Sequence, residues 1–249
     1  ICGVEGDGSK NNRVIGIGDK GDNALRDQAT LAWEHRLGKI LVEGSNKEAI
    51  YNFYTSLYHT MIAPNLYQDV DGRYRGMDLK IHEAKDFDYY TVFSLWDTYR
   101  AAHPLYTIIE QDRTNDFIKT MLAKYEEGGI IPIWDLSGNY TGCMIGYHGV
   151  SVIADAYLKG IRDYDTEKAF QAIKHSAMQD KLGLKAYKET GFIPVEEESE
   201  SVSKTLEYAY DDWTIAQMAK AMNKTEDHTL FSERAQFYKN LFNPKTGFM

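Results

Sequence analysis

Residues 148–160 constrain the fold more than any other stretch. Val150, Ile153, Ala154, Ala156, Tyr157 and Leu158 put apolar side chains on nearly every face of one helix, with Asp155 the main exception. A helix that is apolar all round is buried on most of its sides, so other helices must surround it. The rest of the chain offers them. Leu25, Ala29, Trp33, Leu37 and Ile40 recur at helical spacing, with Gly44 as the stop. Ser45 and Glu48 read as a capping box ahead of Ile50, Phe53, Tyr54, Leu57, Tyr58 and Met61, and Pro64 ends that helix. Further helical patterns cover about 97–110, 114–125, a segment after Asp165, a segment from Ser201 or Ser203, and 230–241.

That adds up to about seven or eight helices in consecutive hairpins with little strand. Helices with two apolar faces alternate with more polar ones. The expected fold is therefore mainly α: an (α/α)6 toroid or barrel, here a partial one. Helical repeat arrays are the other all-helical architecture, and no fixed period supports them. Residues 64–92 interrupt the pattern. The turn signals Asp69-Val-Asp71-Gly72 and Arg75-Gly76-Met77-Asp78, and the alternation of Phe87, Tyr89 and Thr91, predict a short β-hairpin or irregular excursion. Asp69 and Asp71 lack the further acidic positions of a calcium loop. Residues 1–21 form a Gly-rich lead-in, and residues 22–249 form the helical domain. Gly16-Ile17-Gly18-Asp19-Lys20-Gly21 matches a dinucleotide-binding pattern in form, but only helix follows where a second strand would be needed.

The bulk properties exclude some function classes. A net charge of −9 without a Lys/Arg-rich run argues against nucleic acid or an anionic membrane as the main partner. No apolar run is long enough for a transmembrane segment, and no signal peptide stands at Ile1. Because Ile1 is not an initiator Met, the chain reads as processed, truncated or incomplete. Cys2 and Cys143 make neither a disulfide framework nor a metal-ligand spacing. The 18 Tyr, 10 Phe and 4 Trp suit carbohydrate or protein contacts, although such rings also fill cores.

Three places carry chemistry. Trp96, Asp97 and Arg100 lie within one turn, followed by Pro104. An indole can cover an apolar sugar face while a neighbouring carboxylate accepts hydroxyl protons; a capping Asp beside a core Trp is the structural alternative. Tyr147 and His148 lie at the start of the all-apolar helix, where loop side chains could meet a ligand. Asp212 sits between Tyr208 and Ala219 on one apolar stripe of the helix from Ser201, while Val202, Leu206, Ala209, Trp213 and Ala216 form a second seam. A buried carboxylate must be paired, hydrogen-bonded or neutral, so Asp212 is either an internal tie between helices or a ligand contact. The acidic run from Glu196 to Glu200 reads as a solvated loop.

Four stretches in order resemble glycoside hydrolase family 92, the calcium-dependent, exo-acting α-mannosidases. They are Tyr54-Thr-Ser-Leu-Tyr-His-Thr60 with Pro64; Phe93-Ser-Leu-Trp-Asp-Thr-Tyr-Arg100; Gly142-Cys-Met-Ile-Gly-Tyr-His148 with Ile153-Ala-Asp-Ala-Tyr-Leu-Lys-Gly160; and Tyr208-Ala-Tyr-Asp-Asp-Trp213. The resemblance covers about residues 25–249. It implies an N-terminal β-sandwich followed by an (α/α)6 barrel. It also implies removal of terminal α-linked mannose from glycans with inversion, α-1,2 being the linkage expected. Mannose-containing glycans would be the partners and the location periplasmic, cell-surface or secreted. The family's general acid lies in a Glu-Gly-Asn-Ala-Trp stretch and its base in a later Asp-containing stretch, and neither occurs here. The expectation is a fragment supplying one wall of the sugar pocket, without the β-sandwich or the C-terminal catalytic segments, and inactive alone. No catalytic residue is assigned, the metal ligands are unknown, and calcium is implied with its ligands outside this chain. Substrate contact is expected at Trp96 and Asp97, and more weakly at Tyr147, His148 and Asp212. A carbohydrate-binding helical module without catalysis, or another α/α-toroid glycosidase, are the competing readings.

Overall fold

The computed structural model describes residues 22–249. The lead-in and its glycine pattern lie outside the described residues. Helices α1 (Asp22–Leu37) and α2 (Lys47–Thr60) form the first hairpin. Asn46 rather than Ser45 caps α2, its side chain accepting from the Ala49 amide at 3.1 Å, so the expected capping box does not form. The predicted seam of α1 is only thinly covered: Ala29 is exposed, and Trp33 leans on Tyr58 with ring centroids 4.7 Å apart.

The excursion at 64–92 is a small β unit. Strand β1 (Asn65–Leu66) pairs antiparallel with β4 (Tyr90–Thr91) and encloses the hairpin of β2 (Arg73–Arg75) and β3 (Ile81–Glu83). The unit has a core of its own, in which Tyr74 and Tyr89 stack at 3.6 Å. Gly72, at φ +81°, makes its turn possible, since a Cβ there would lie 2.7 Å from the Ala84 carbonyl oxygen. Asp71 is occupied by the Arg73 amide and guanidinium, which makes it a turn residue.

The helix expected over 97–110 is two helices, α3 (Leu95–Thr98) and α4 (Ala102–Ile109), with Pro104 tolerated in the first turn of α4. Helix α5 (Gln111–Gly128) ends in a left-handed Gly129. A tight hairpin, β5 (Asp135–Leu136) and β6 (Asn139–Tyr140), turns through Ser137 and Gly138, both at positive φ. Then follow α6 (Gly149–Leu158), α7 (Thr166–Ala177), α8 (Leu184–Thr190), α9 (Ser201–Ala221) and α10 (Thr225–Arg234). Asp165 caps α7 as expected. The last predicted helix proves to be the end of α10 plus a 3₁₀ turn, Phe237–Leu241.

Helix α6 is the hub. It packs against α4, α5, α7 and α9, and every residue from Gly149 to Tyr157 except Asp155 is buried. Tyr208, Ile215 and Ala219 of α9 are buried as predicted, and so is Asp212. The second seam of α9 holds only in part: Ala209 and Ala216 are buried, whereas Val202 is 43% and Trp213 51% exposed. No described helix is long and apolar enough to cross a membrane.

Candidate sugar-binding site

The Trp96–Asp97 motif is launched from a strained turn. Val92, a β-branched residue, sits at φ +65°, a conformation that costs of order 1–3 kcal/mol and persists only where surrounding bonds impose it. The imposing group is Asp135. Its carboxylate accepts from the Thr91 hydroxyl at 2.9 Å and from the Phe93 amide at 3.2 Å, gripping the chain on both sides of Val92. Lys124, fully buried with Asp135, neutralises it. Neither charge is exposed, so neither could be buried without the other. The Leu95 amide then donates to the Ile133 carbonyl at 3.1 Å, and Ser94 bridges Trp134. The motif is thus pinned to the segment before β5.

From that base, three side chains converge on Glu207 of α9. The Trp96 indole N–H lies 3.2 Å from it, the Tyr99 hydroxyl 3.2 Å and an Arg100 guanidinium nitrogen 3.1 Å. His148, the N-cap of α6, stands behind. Its Nε2 is 3.2 Å from Glu207 Oε2 and its Nδ1 is 2.8 Å from Asp211 Oδ1, while Tyr99 stacks on the imidazole at 3.9 Å. Burial alone would pull the His148 pKa down. The two flanking carboxylates outweigh it and lift the pKa to about 9, so His148 is an imidazolium at neutral pH. Burial would raise the Glu207 carboxyl, but His148, Arg100 and Trp96 hold it at about 2. A carboxyl held that low is a carboxylate at working pH and cannot serve as a proton donor. Gly146 permits this packing: it adopts φ +84°, and a Cβ there would fall 2.3 Å from His148 Nε2.

Asp97 takes its hydrogen bond outside this cluster. It is exposed, and the Ser94 hydroxyl donates to its Oδ2 at 2.5 Å. Tyr147 and Asp212 lie deeper. The Tyr147 amide donates to Asp211 at 2.7 Å, and its hydroxyl donates to Asp212 Oδ1 at 2.7 Å. The other Asp212 oxygen meets Arg234 Nε at 2.8 Å and the Tyr187 hydroxyl at 3.1 Å. Burial raises the Asp212 pKa to about 6 against these partners, which leaves it ionised at neutral pH. The structure therefore places Asp212 and Tyr147 in the interior, as ties between the loop before α6 and helices α8, α9 and α10, with both Asp212 oxygens engaged. Of the five predicted residues, Trp96 and Asp97 share the rim, His148 lies directly beneath it, and Tyr147 and Asp212 lie deeper in the interior.

Sequence reasoning missed Glu207 and Asp211. Glu207 reads as an ordinary charge near a helix start, and its donors lie more than 100 residues away. Its one available signal is its place four residues before Asp211, on the same face of α9. On the far side of Tyr99 and Arg100 lies a cavity of about 220 Å3, walled by Ser151, Asp155, Tyr210 and Trp213 among others. As for calcium, no group of three or more convergent carboxylate, His or Cys side chains suited to a metal occurs among the described residues. Glu207 and Asp211 are bound to cations and N–H donors instead, so these residues do not make an oxygen cage.

Packed helices carrying a rim of aromatic rings and carboxylates make this an α/α scaffold. The sequence profile of the glycosyl hydrolase family 92 catalytic domain matches residues 10–249. A family 92 α-mannosidase from Bacteroides thetaiotaomicron, solved in complex with mannoimidazole, superposes with a TM-score of 0.95 at 44% identity, covering 99% of this chain and 32% of that one. A family 92 inverting mannosidase from the same bacterium gives a TM-score of 0.91 at 32% identity, covering 98% of this chain and 34% of the other. A curated relative, an uncharacterized secreted glycosidase of Arthroderma benhamiae, is 24% identical over 237 residues, 88% of this chain and 26% of its own length. The chain belongs to glycoside hydrolase family 92. It spans about a third of the length of the solved relatives.

Proposed function

We propose that the protein containing this chain is an exo-acting glycoside hydrolase that removes terminal α-linked mannose, α-1,2 linkages among them, with inversion. In this reading the chain contributes one wall of the pocket and is inactive alone. The observation that carries it is the rim: an indole and a guanidinium held by Glu207, and a solvent-facing carboxylate held by Ser94. Trp96 offers a face to the sugar and Asp97 accepts its hydroxyl protons. Glu207, fixed as a carboxylate, orients Trp96 and Arg100. Tyr147, His148 and Asp212 serve beneath the rim. The family assignment and the mannosidase names of two relatives support the substrate class.

Inversion requires an acid on the leaving oxygen and a base that activates water on the opposite face. No described residue is assigned either role, and Glu207 is unfit for the first. Calcium belongs to this reading as an activator held by oxygen donors outside the cluster described above, and no step is routed through it here. Release outside the cytoplasm, to the periplasm, cell surface or medium, fits the secreted fungal relative.

The test is hydrolysis of α-1,2-mannobiose by the full-length protein with calcium, followed by proton NMR from the first minutes. β-Mannose should appear first, and chelation should stop its release. α-Mannose first would overturn inversion. Saturable binding without any release would favour a helical binding module.

A further inference from the structure

The carboxylate of Asp97 is aimed by a relay that starts across the chain. Trp134 Nε1 lies 2.7 Å from the Ser94 hydroxyl oxygen, and that hydroxyl lies 2.5 Å from Asp97 Oδ2. An indole nitrogen can only donate, and a serine hydroxyl has one proton. Since Trp134 occupies a lone pair of Ser94, the Ser94 proton must go to Asp97. The direction of the chain is therefore fixed: indole N–H to hydroxyl, hydroxyl to carboxylate.

Ser94 is the N-cap of α3, yet it makes no side-chain cap bond to the helix. Its hydroxyl is diverted from the usual capping role to Asp97. Both ends of the relay rest on the same support. Asp135, next to Trp134, grips Thr91 and Phe93, and the Leu95 amide is bonded to Ile133. Among the described residues no donor reaches Asp97 Oδ1, and the side chain faces solvent.

We propose that Trp134 and Ser94 are positioning residues that commit one oxygen of Asp97 to the protein and present the other to a sugar hydroxyl. This rests on the reading of Asp97 as a mannose contact. Sugar specificity at this point would then depend on Trp134, a residue that touches Asp97 only through Ser94.

The experiment uses the full-length protein and an aryl α-mannoside. Trp134→Phe keeps an aromatic ring, though a smaller one, and removes the N–H, and Ser94→Ala removes the hydroxyl. Each should raise KM by about tenfold, the scale of a hydrogen bond to a charged group, with a smaller change in kcat and an unchanged Tm. The double variant should be no worse than Ser94→Ala alone, because the indole acts only through the hydroxyl. Ser94→Thr, which keeps a hydroxyl, should restore most of the loss. Wild-type KM in Trp134→Phe and Ser94→Ala, in a protein where Asp97→Ala is impaired, would overturn the relay. So would a double variant whose losses multiply. An unimpaired Asp97→Ala would instead overturn the rim reading beneath it.

Discussion

Asp211 and Asp212 are neighbours on α9, both wholly buried, yet they belong to different parts of the molecule. Asp211 faces the N-terminus of α6, where His148 connects it to Glu207 and the rim. Asp212 faces α8 and α10, where Arg234 and two tyrosines close around it. Consecutive helix residues point about 100° apart, so two adjacent acids can serve two neighbouring regions. The Asp212 set is closed and has no outlet to solvent. The Asp211 set opens through Glu207, which keeps 16% side-chain exposure and reaches Arg100. A buried charge network is therefore no mark of a ligand site in this fold; the mark is whether the network leads to an exposed end.

The largest effect on stability should come from opening the closed set. Asp212→Ala leaves the Arg234 guanidinium buried without its carboxylate and should cost about 3–5 kcal/mol, read by urea unfolding. A loss below about 1 kcal/mol would mean that Arg234 is hydrated and that the set is not closed. Next is Gly146→Ala, which puts a Cβ against His148 in a left-handed backbone. It should cost about 1–3 kcal/mol and lower the His148 pKa, seen by NMR. A destabilised variant with an unmoved His148 would separate the loop from the open set.

A pH profile sharpens the comparison further. The folded pKa of His148, about 9, lies above its ordinary 6.5. Its contribution to stability is present in full below 6.5 and is lost as pH rises through about 9. Glu207 works at the other end, its contribution present above 4.5 and lost as pH falls through about 2. Tm should therefore fall between pH 7 and 9 in the wild type and much less in His148→Gln. Equal slopes in the two proteins would remove the imidazolium from the account. The smallest effect on stability is expected at Asp97, which is exposed and bonded only to Ser94: Asp97→Ala should cost less than about 0.5 kcal/mol.

The same contrast explains what could be read in the sequence. The all-round apolar α6 and the buried position of Asp212 follow from helical periodicity, because a 3.6-residue repeat states which side of a helix is covered. The α/α fold was legible for that reason, and the family through the resemblance of four motifs in order. Boundaries were less so. Thr98 and Ala102 belong to separate helices, and Arg100, in the break between them, lies over the Trp96 and Tyr99 rings. Glu207 was illegible because its meaning comes from Trp96 and Arg100, which only the tertiary fold brings near. The strained Val92 was equally hidden, since its backbone is imposed by Asp135 and Lys124 from β5 and α5. Trp213 misled for a related reason: an aromatic at a seam position reads as core, yet here it lines an open cavity.

We propose that Asp97, exposed on the rim beside the open set, meets the sugar. Calorimetric titration of mannose into the full-length protein and its Asp97→Ala variant tests this most directly, with Tm measured on the same samples. Affinity should fall by about tenfold or more in the variant while Tm stays at the wild-type value. Wild-type affinity in Asp97→Ala would contradict it, and would move the sugar contact elsewhere on the molecule.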